Sequence, residues 1–397
     1  MKKRTILVSG ASIAGPTLAF WLHRFGFDVT VIERADELRL GGQNIDVRKE
    51  AQQVVQLMGL EDKIRQANTG ELGVCFVNKN NQIIGSFPKG NSDFGTAELE
   101  ILRGDLAKIL YDATKDSVRY VFGDQIIDLE DQEDKVTVTF KNSLQRSFDL
   151  VIAADGIRST TRTLIFGNEP VVKYIGVYCS YLTIPRIESD TKWAYWYNAP
   201  ESRVINTRPD NEGTTRASFS FLSSDNGYEK LNLAEQKEIL RQKFADAGWQ
   251  ASRILAALEE SKDVYLDGIS QVKAPRWTSG RCAMVGDAAY CPTPMTGMGT
   301  SLSIIGAYIL AGELSRHNDH KEAFTAYEKL LRPYVEEIQN LPPGVPWIAH
   351  PKTKFGIGLF NTVIRIASSK IAKKVSKLFT KKKEKTTKER LNIPIYK

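Results

Sequence analysis

The sequence predicts an α/β protein: a parallel sheet with helices, interleaved with a mainly antiparallel sheet and followed by C-terminal helices. Three observations carry this expectation. Short apolar strands run into glycine at three distant places: Thr5–Ser9 before Gly10, Leu150–Ala154 before Asp155-Gly156, and Cys282–Val285 before Gly286. The first belongs to a βαβ unit of about 30 residues, which favours a parallel sheet. From about 170 to 225 the pattern changes to long alternating strands, the mark of a separate antiparallel sheet.

The elements follow in order. Thr5–Ser9 leads into Gly10-Ala-Ser12-Ile-Ala-Gly15 and a helical stretch with Leu18, Phe20, Trp21, Leu22 and Phe25, ended at Gly26. Asp28–Glu33 is the second strand. Val136, Val138 and Phe140 alternate after the polar turn Asp131–Asp134, a hairpin signal. In the later sheet Ala217, Phe219 and Phe221 share one face. Residues 233–260 read as helical, and the Gly/Pro-rich loop ending at Gly299 opens a helix through Leu302–Leu314. If the three apolar strands share a sheet, the chain crosses between two domains more than once. The expected boundaries are residues 1–170 for the first domain, with part of the second inserted around 70–100. Residues 171–272 form the second, β-sheet domain, 273–340 the return to the first domain, 341–380 a helical segment bridging both, and 381–397 a basic, disordered tail.

Composition narrows the function classes. The 397 residues are 42% apolar and 25% charged, enough for two or three domains with real cores. A disordered chain, a collagen-like fibre and a disulfide-stapled scaffold are excluded. Four cysteines without a CxxC pair and four histidines speak against zinc or haem and for a reducing, cytoplasmic setting. No apolar run reaches the ~18–20 residues of a membrane span. The basic then apolar start imitates a signal peptide, but Gly10, Gly15 and Pro16 break it, so a retained strand and turn is expected. There is no repeat that would make a solenoid.

The net charge of +7 is concentrated. Residues 361–397 hold 12 Lys+Arg against 2 Asp+Glu, and the other 360 residues hold 42 basic and 45 acidic groups. The body therefore has no nucleic-acid signature. Near the tail, Ile364, Ala367, Ile371, Val375 and Leu378 recur at helical spacing, with Lys370, Lys373, Lys374 and Lys377 on other faces. Such a helix can lie on a membrane surface or pack across both domains with lysines outward; the second reading is preferred.

The strand, Gly10-x-Ser12-x-x-Gly15 turn and helix form a dinucleotide-binding arrangement. Gly10 permits the tight turn, Gly15 lets helix and strand approach, and the helix N-terminus faces a pyrophosphate. Glu33, 23 residues after Gly10, suits ribose hydroxyls. Ser12 stands where glycine is usual; it is small and can donate a hydrogen bond. The plain alternative is an ordinary strand–turn–helix.

Two further segments carry a family resemblance. Asp149-Leu-Val-Ile-Ala-Ala-Asp155-Gly156-Ile-Arg158 resembles the DG motif of the class A flavoprotein monooxygenases, and Arg281-Cys-Ala-Met-Val-Gly286-Asp287 resembles their GD motif. Pro292-Thr-Pro294-Met-Thr-Gly297-Met-Gly299 is similar to their loop beside the isoalloxazine ring. With Gly41-Gly42 before Ile45-Asp46, the flavour is that of polyketide hydroxylases and tetracycline-inactivating monooxygenases. The resemblance implies a Rossmann-like FAD-binding domain, FAD as cofactor, and NADPH or NADH as a transient co-substrate. It implies FAD contacts at Arg34, Asp46, Arg103, Asp155, Gly286, Asp287, Pro294, Gly297, Met298 and Gly299. For Arg103 the alternative is an exposed arginine paired with Asp105 or Glu100. Arg158 is implicated with NADPH, as is Arg39, whose alternative is a solvated charge.

Reduced flavin and O2 are implied to give a C4a-hydroperoxide that hydroxylates an aromatic, phenolic or polyketide substrate, tetracyclines included, so no catalytic side chain is named. Tyr195, Asn206, Arg208, Phe219 and Phe221 are the candidate substrate residues. Arg208 would suit an enolate or carboxylate; its alternative is a surface ion pair with Asp210 or Glu212. A monomer is expected. Rival readings are a halogenase, whose Trp-x-Trp-x-Ile-Pro segment Trp193-Ala-Tyr-Trp196 does not match, a membrane-associated isoprenoid reductase, and a flavin-sequestering protein.

Overall fold

The structure, a computed structural model, describes residues 3–90, 97–261, 264–369 and 391–397. A six-stranded sheet runs from edge to edge as Thr278–Ser279, Cys282–Met284, Leu150–Ala153, Thr5–Ser9, Asp28–Glu33 and Arg119–Phe122. Every neighbouring pair except the first is parallel. The three apolar strands therefore do share one sheet, and the chain leaves it for other sheets and returns three times.

Their unbroken apolar character has a physical reason, because both faces are covered. Ile6, Val8, Val29, Val31, Leu150 and Ile152 pack under the helices Ala14–Arg24 and Gly299–Arg316. Leu7, Ile32, Val151 and Cys282 pack on the other side against a three-stranded sheet of Ile126–Asp131, Val136–Phe140 and Arg146–Phe148. The hairpin turn in that sheet closes with Gln132 N–H donating to Lys135 O at 2.8 Å.

The second large sheet has seven strands in the order Tyr265–Lys273, Val171–Pro185, Thr214–Leu222, Arg203–Pro209, Ala194–Ala199, Gly73–Val77 and Ile83–Pro88. All its pairs are antiparallel except Ala194–Ala199 with Gly73–Val77. One face is sealed by two helices, Leu233–Phe244 and Ala251–Glu260, where a single helical stretch is expected over 233–260. The break falls at Gly248 and Trp249, both with positive φ. Asn232 and Glu235 form a capping box at the start of the first of these helices.

A two-stranded ribbon, Asn44–Val47 with Leu99–Leu102, joins the two units. Asn44 Nδ2 donates to Pro209 O across this junction at 2.9 Å.

The C-terminal region departs from expectation in two ways. The helix Lys354–Ser368 rests on the strands Ile83–Pro88 and Ala194–Ala199 through Phe360 and Ile364, so its packing is on the seven-stranded sheet. Residues 391–397, expected in a disordered tail, instead dock on the first unit. Tyr396 is buried against Tyr308 and Phe25 and donates to Glu313 Oε1 at 2.6 Å. The reason is compositional: Leu391, Ile393 and Tyr396 restore apolar character after the lysine run. Ile371, Val375, Leu378 and the Lys381–Lys388 run lie outside the described residues. Among the described residues no helix is long and apolar enough to cross a membrane, and no cluster of His, Cys, Asp or Glu could hold a metal.

Candidate functional site

The site forms where the parallel strands end. Gly10 has φ +109°, and a Cβ there would lie 2.6 Å from Ala154 O, so the first loop sits directly on the backbone that enters Asp155. Gly286 has φ +66°, and its Cβ would meet Ala14 Cβ at 2.9 Å. Gly10 and Gly286 thus bring the first turn, the DG segment and the GD segment together at one end of the sheet, the switch-point position where open α/β sheets bind ligands.

Around the first loop the polar groups interlock. Glu33 Oε2 accepts from Ala11 N–H at 2.9 Å and Oε1 from Ala35 N–H at 3.1 Å, which fixes the carboxylate beside the loop. Arg39 reaches Glu33 Oε1 at 3.9 Å, its side chain 55% exposed, and Arg34 is exposed nearby. Arg103, at the start of the helix Arg103–Asp112, donates to Ser12 Oγ at 2.9 Å, to Arg39 O at 2.8 Å and to Gly41 O. It pairs with neither Asp105, which accepts from Asn211, nor Glu100, which accepts from Arg208. Burial works against the Arg103 charge, as does nearby Arg39.

At the other end Asp155 accepts from Ser159 Oγ and from Thr161 N–H at 3.2 Å, so its carboxylate holds the start of the helix Thr160–Phe166. Burial pushes its pKa up, and the Ser159 hydroxyl pulls it back. Arg158 pairs with Asp267, which also accepts from the Tyr265 hydroxyl. Asp287 lies near Gly299, 3.6 Å from where a Cβ of that glycine would sit. Burial raises the Asp287 carboxyl pKa, offset only by the Cys291 thiol, so it suits a ligand that brings hydroxyl donors. Pro294–Thr296 forms a short turn before Gly297, and Met298 precedes the long buried helix Gly299–Arg316.

Two arginines at this centre escape the sequence reading. Arg48 binds Asp46 Oδ2 through Nε at 3.0 Å and Nη2 at 2.5 Å, and lies 3.5 Å from where a Gly297 Cβ would be. Its position two residues after Asp46, just past the end of the strand Asn44–Val47, was the available signal. Arg162, buried, donates to Ala288 O at 3.0 Å and Ile157 O at 2.8 Å and so ties the DG segment to the GD segment. Nothing in the local sequence marks it.

The candidate substrate residues divide between the two faces of the seven-stranded sheet. Phe219 and Phe221 are 0% and 1% exposed in the core beneath the helices; the Phe219 ring stacks on Phe244 at 4.2 Å. Tyr195 packs on the same cluster and its hydroxyl meets Thr191. These three face away from the first unit, which corrects their assignment to a pocket: alternation identifies a shared face but not what covers it. Asn206 and Arg208 share the opposite face.

Arg208 has neither of its expected partners, since Asp210 is taken by Arg216. It binds Glu71 at 2.8 and 3.0 Å and Glu100 at 2.7 Å, both carboxylates fully buried. It lies deep at the junction, yet 30% of its side chain is accessible, so it borders a cleft. Burial pushes the Glu100 carboxyl up to about 7 against the pull of Arg208, with Glu71 adding to the rise. Asn206 Oδ1 is buried with no hydrogen-bond partner among the described residues.

The comparisons with known proteins agree with this geometry. The FAD binding domain family matches residues 3–342. A flavin-dependent monooxygenase of Legionella longbeachae serogroup 1 (strain NSW150) is 40% identical over 344 residues, covering 85% of this chain and 88% of that protein. The FAD-dependent monooxygenase asL6 of Sarocladium schorii is 34% identical over 408 residues and 96% of each chain. Of solved structures, tetracycline destructase Tet(55) superposes with a TM-score of 0.81 at 33% identity, covering 99% of both chains. The chain belongs to the FAD-binding-domain family of flavin-dependent monooxygenases. Within it the protein is an oxidoreductase, an FAD-dependent monooxygenase.

Proposed function

We propose that this monooxygenase hydroxylates an aromatic, phenolic or polyketide small molecule, a tetracycline-like compound included, with NADPH or NADH as reductant and O2 as oxidant. The supporting observation is the meeting of Gly10, Asp155 and Gly286 at one end of three parallel strands. The likeness to Tet(55) supports the tetracycline class.

The residues present fit FAD. The glycines of the first turn let it pack tightly, Gly10 against Ala154 O and Gly15 against Gly10 O, which sets the start of the following helix at the site, and among the described residues the half-buried Asp287 carboxyl is met by the Cys291 thiol. In this reading Gly10, Ser12 and Gly15 offer backbone to the pyrophosphate, with Asp155 holding the adjoining turn. Glu33 and Arg34 serve the adenosine ribose, Arg103 fixes the first loop, and Asp287 accepts from the ribityl hydroxyls. Asp46 with Arg48 steadies the Pro294–Gly299 loop. The amides of Gly297, Met298 and Gly299, at a helix start, favour negative charge on the pyrimidine edge. Bound FAD supplies the electron transfer and oxygen activation that no side chain here can. Asn206 and Arg208 orient the substrate while the two units exclude water. Arg39 and Arg158, each about half exposed, serve the nicotinamide cofactor. The reading also takes the enzyme as a cytoplasmic monomer, a setting in which the four free, buried cysteines stay reduced.

The test is the absorption spectrum of the purified protein, followed by bleaching with NADPH alone and with a panel of phenols and tetracyclines. Flavin bands near ~370 and ~450 nm that bleach faster with one ligand, with a product heavier by one oxygen, are expected. Bleaching that no ligand accelerates, with no oxygenated product, overturns the substrate class.

A further inference from the structure

The C-terminal region carries an exposed apolar surface that the flavin chemistry does not use. In the helix Lys354–Ser368, Phe360 and Ile364 face the seven-stranded sheet. On the outward side Phe355, Leu359, Val363 and Ile366 are 83%, 59%, 55% and 62% exposed. At 3.6 residues per turn these four fall within one stripe. Trp347 and Ile348, just upstream, are also exposed. So many large apolar side chains in one short stretch of surface mark an interaction site rather than scattered exposure.

The charges around the stripe indicate its partner. Lys352, Lys354 and Arg365 are exposed, and on the helical wheel Lys354 and Arg365 lie along the same edge of the stripe. From Ile338 to Lys383 the sequence has ten Lys+Arg and no Asp or Glu. Pairing two copies of this face would set Lys352, Lys354 and Arg365 of one against those of the other, with no carboxylate in the helix itself to offset them. A surface rich in anions and able to accept apolar side chains offsets both.

We propose that the outward face of the helix Lys354–Ser368 docks on an anionic lipid bilayer, lying in the plane of the interface. The apolar stripe enters the headgroup boundary, and the flanking Lys352, Lys354 and Arg365 meet the lipid phosphates and carboxylates. Gly356 and Gly358 lower the intrinsic helix propensity of this segment, so contact with a second surface also stabilises its helical form. The protein then sits on a membrane without crossing it.

The test uses the full-length FAD-loaded enzyme, sedimented with vesicles of phosphatidylcholine alone or with added phosphatidylserine. The expected result is recovery in the pellet only with the anionic vesicles, reversed by about 1 M salt, where screening is nearly complete. Phe355→Ser/Leu359→Ser is expected to lower partitioning about tenfold or more, with the flavin spectrum and thermal stability retained. Three outcomes overturn the proposal: wild-type protein that stays in the supernatant with both vesicles, equal binding by the double variant, or light scattering that shows a dimer which the double variant abolishes. The wild-type comparison needs no variant, so a misfolded substitution leaves the test intact.

Discussion

Arg103 Nη1 donates to Ser12 Oγ at 2.9 Å, joining positions 91 apart in the chain. Ser12 is the position where the first loop departs from glycine, and the departure has a partner: the hydroxyl accepts from Arg103 and keeps its own proton to donate. Because hydrogen bonds involving charged groups contribute about 1.5–3 kcal/mol, Arg103→Ala is expected to weaken FAD binding about 10–100-fold. Ser12→Gly is expected to cost less, since the guanidinium keeps its contacts with Arg39 O and Gly41 O. Titration of the apoprotein by flavin fluorescence checks both. An unchanged Kd for Arg103→Ala would falsify the role.

Gly10→Ala is expected to be far more damaging than its size suggests. The new methyl would lie 2.6 Å from Ala154 O with the backbone at φ +109°. Overpacking of about 1–3 kcal/mol adds to left-handed strain of about 1–2 kcal/mol. The thermal midpoint should fall by several degrees, and a midpoint equal to wild type would mean that the strands Thr5–Ser9 and Leu150–Ala153 can part without loss.

Glu100 gives stability a pH dependence of defined sign. Burial raises its folded pKa from about 4.5 to about 7, so the native state holds a proton that the unfolded chain releases. This contribution is full below about 4.5 and is lost as pH rises through about 7. Relative to Glu100→Gln, which keeps a neutral group at the site, wild type is expected to lose melting temperature between pH 5 and pH 8. His350 acts in the other direction: buried beside Ser220 and Pro346, its pKa is lowered to about 4. Its contribution is full above about 6.5 and is lost as pH falls through about 4. Parallel melting curves for wild type and Glu100→Gln across the range would exclude the proton at Glu100.

The two faces of the seven-stranded sheet should separate stability from kinetics. Phe219→Ala removes a ring from a closed core and is expected to cost about 3–5 kcal/mol. Asn206→Leu removes an acceptor with no protein partner among the described residues, so stability should hold while KM rises. Denaturant melts with steady-state kinetics decide this, and an unaltered KM would remove Asn206 from the substrate surface.

Much of the first unit was legible because its information is local. Gly10, Gly15 and Glu33 lie within one strand–turn–helix–strand segment, and the apolar strands announce a sheet covered on both sides. The misread residues depend on long-range facts. Ala217, Phe219 and Phe221 visibly share a face, yet only the helices at 233–260 decide that the face is core. Arg208 looked to nearby acids for an ion pair and found Glu71 and Glu100 at separations of 137 and 108 residues. No periodicity encodes such partners. Tyr396 was hidden by its neighbours, since a lysine run masks the short apolar segment after it.

The weave of the central sheet also sets the timing of biosynthesis. The strand Thr5–Ser9 leaves the ribosome first, but Cys282–Met284, which pairs with Leu150–Ala153, and the carboxylate at Asp287 emerge some 275 residues later. At about 5–20 residues per second, the nascent chain waits roughly 14–55 s before the flavin pocket can close. Over the last ~130 residues of that interval the edge of Leu150–Ala153 awaits its partner, as a target for chaperones. A message truncated before residue 282 would yield a chain unable to complete the sheet, however intact its first loop.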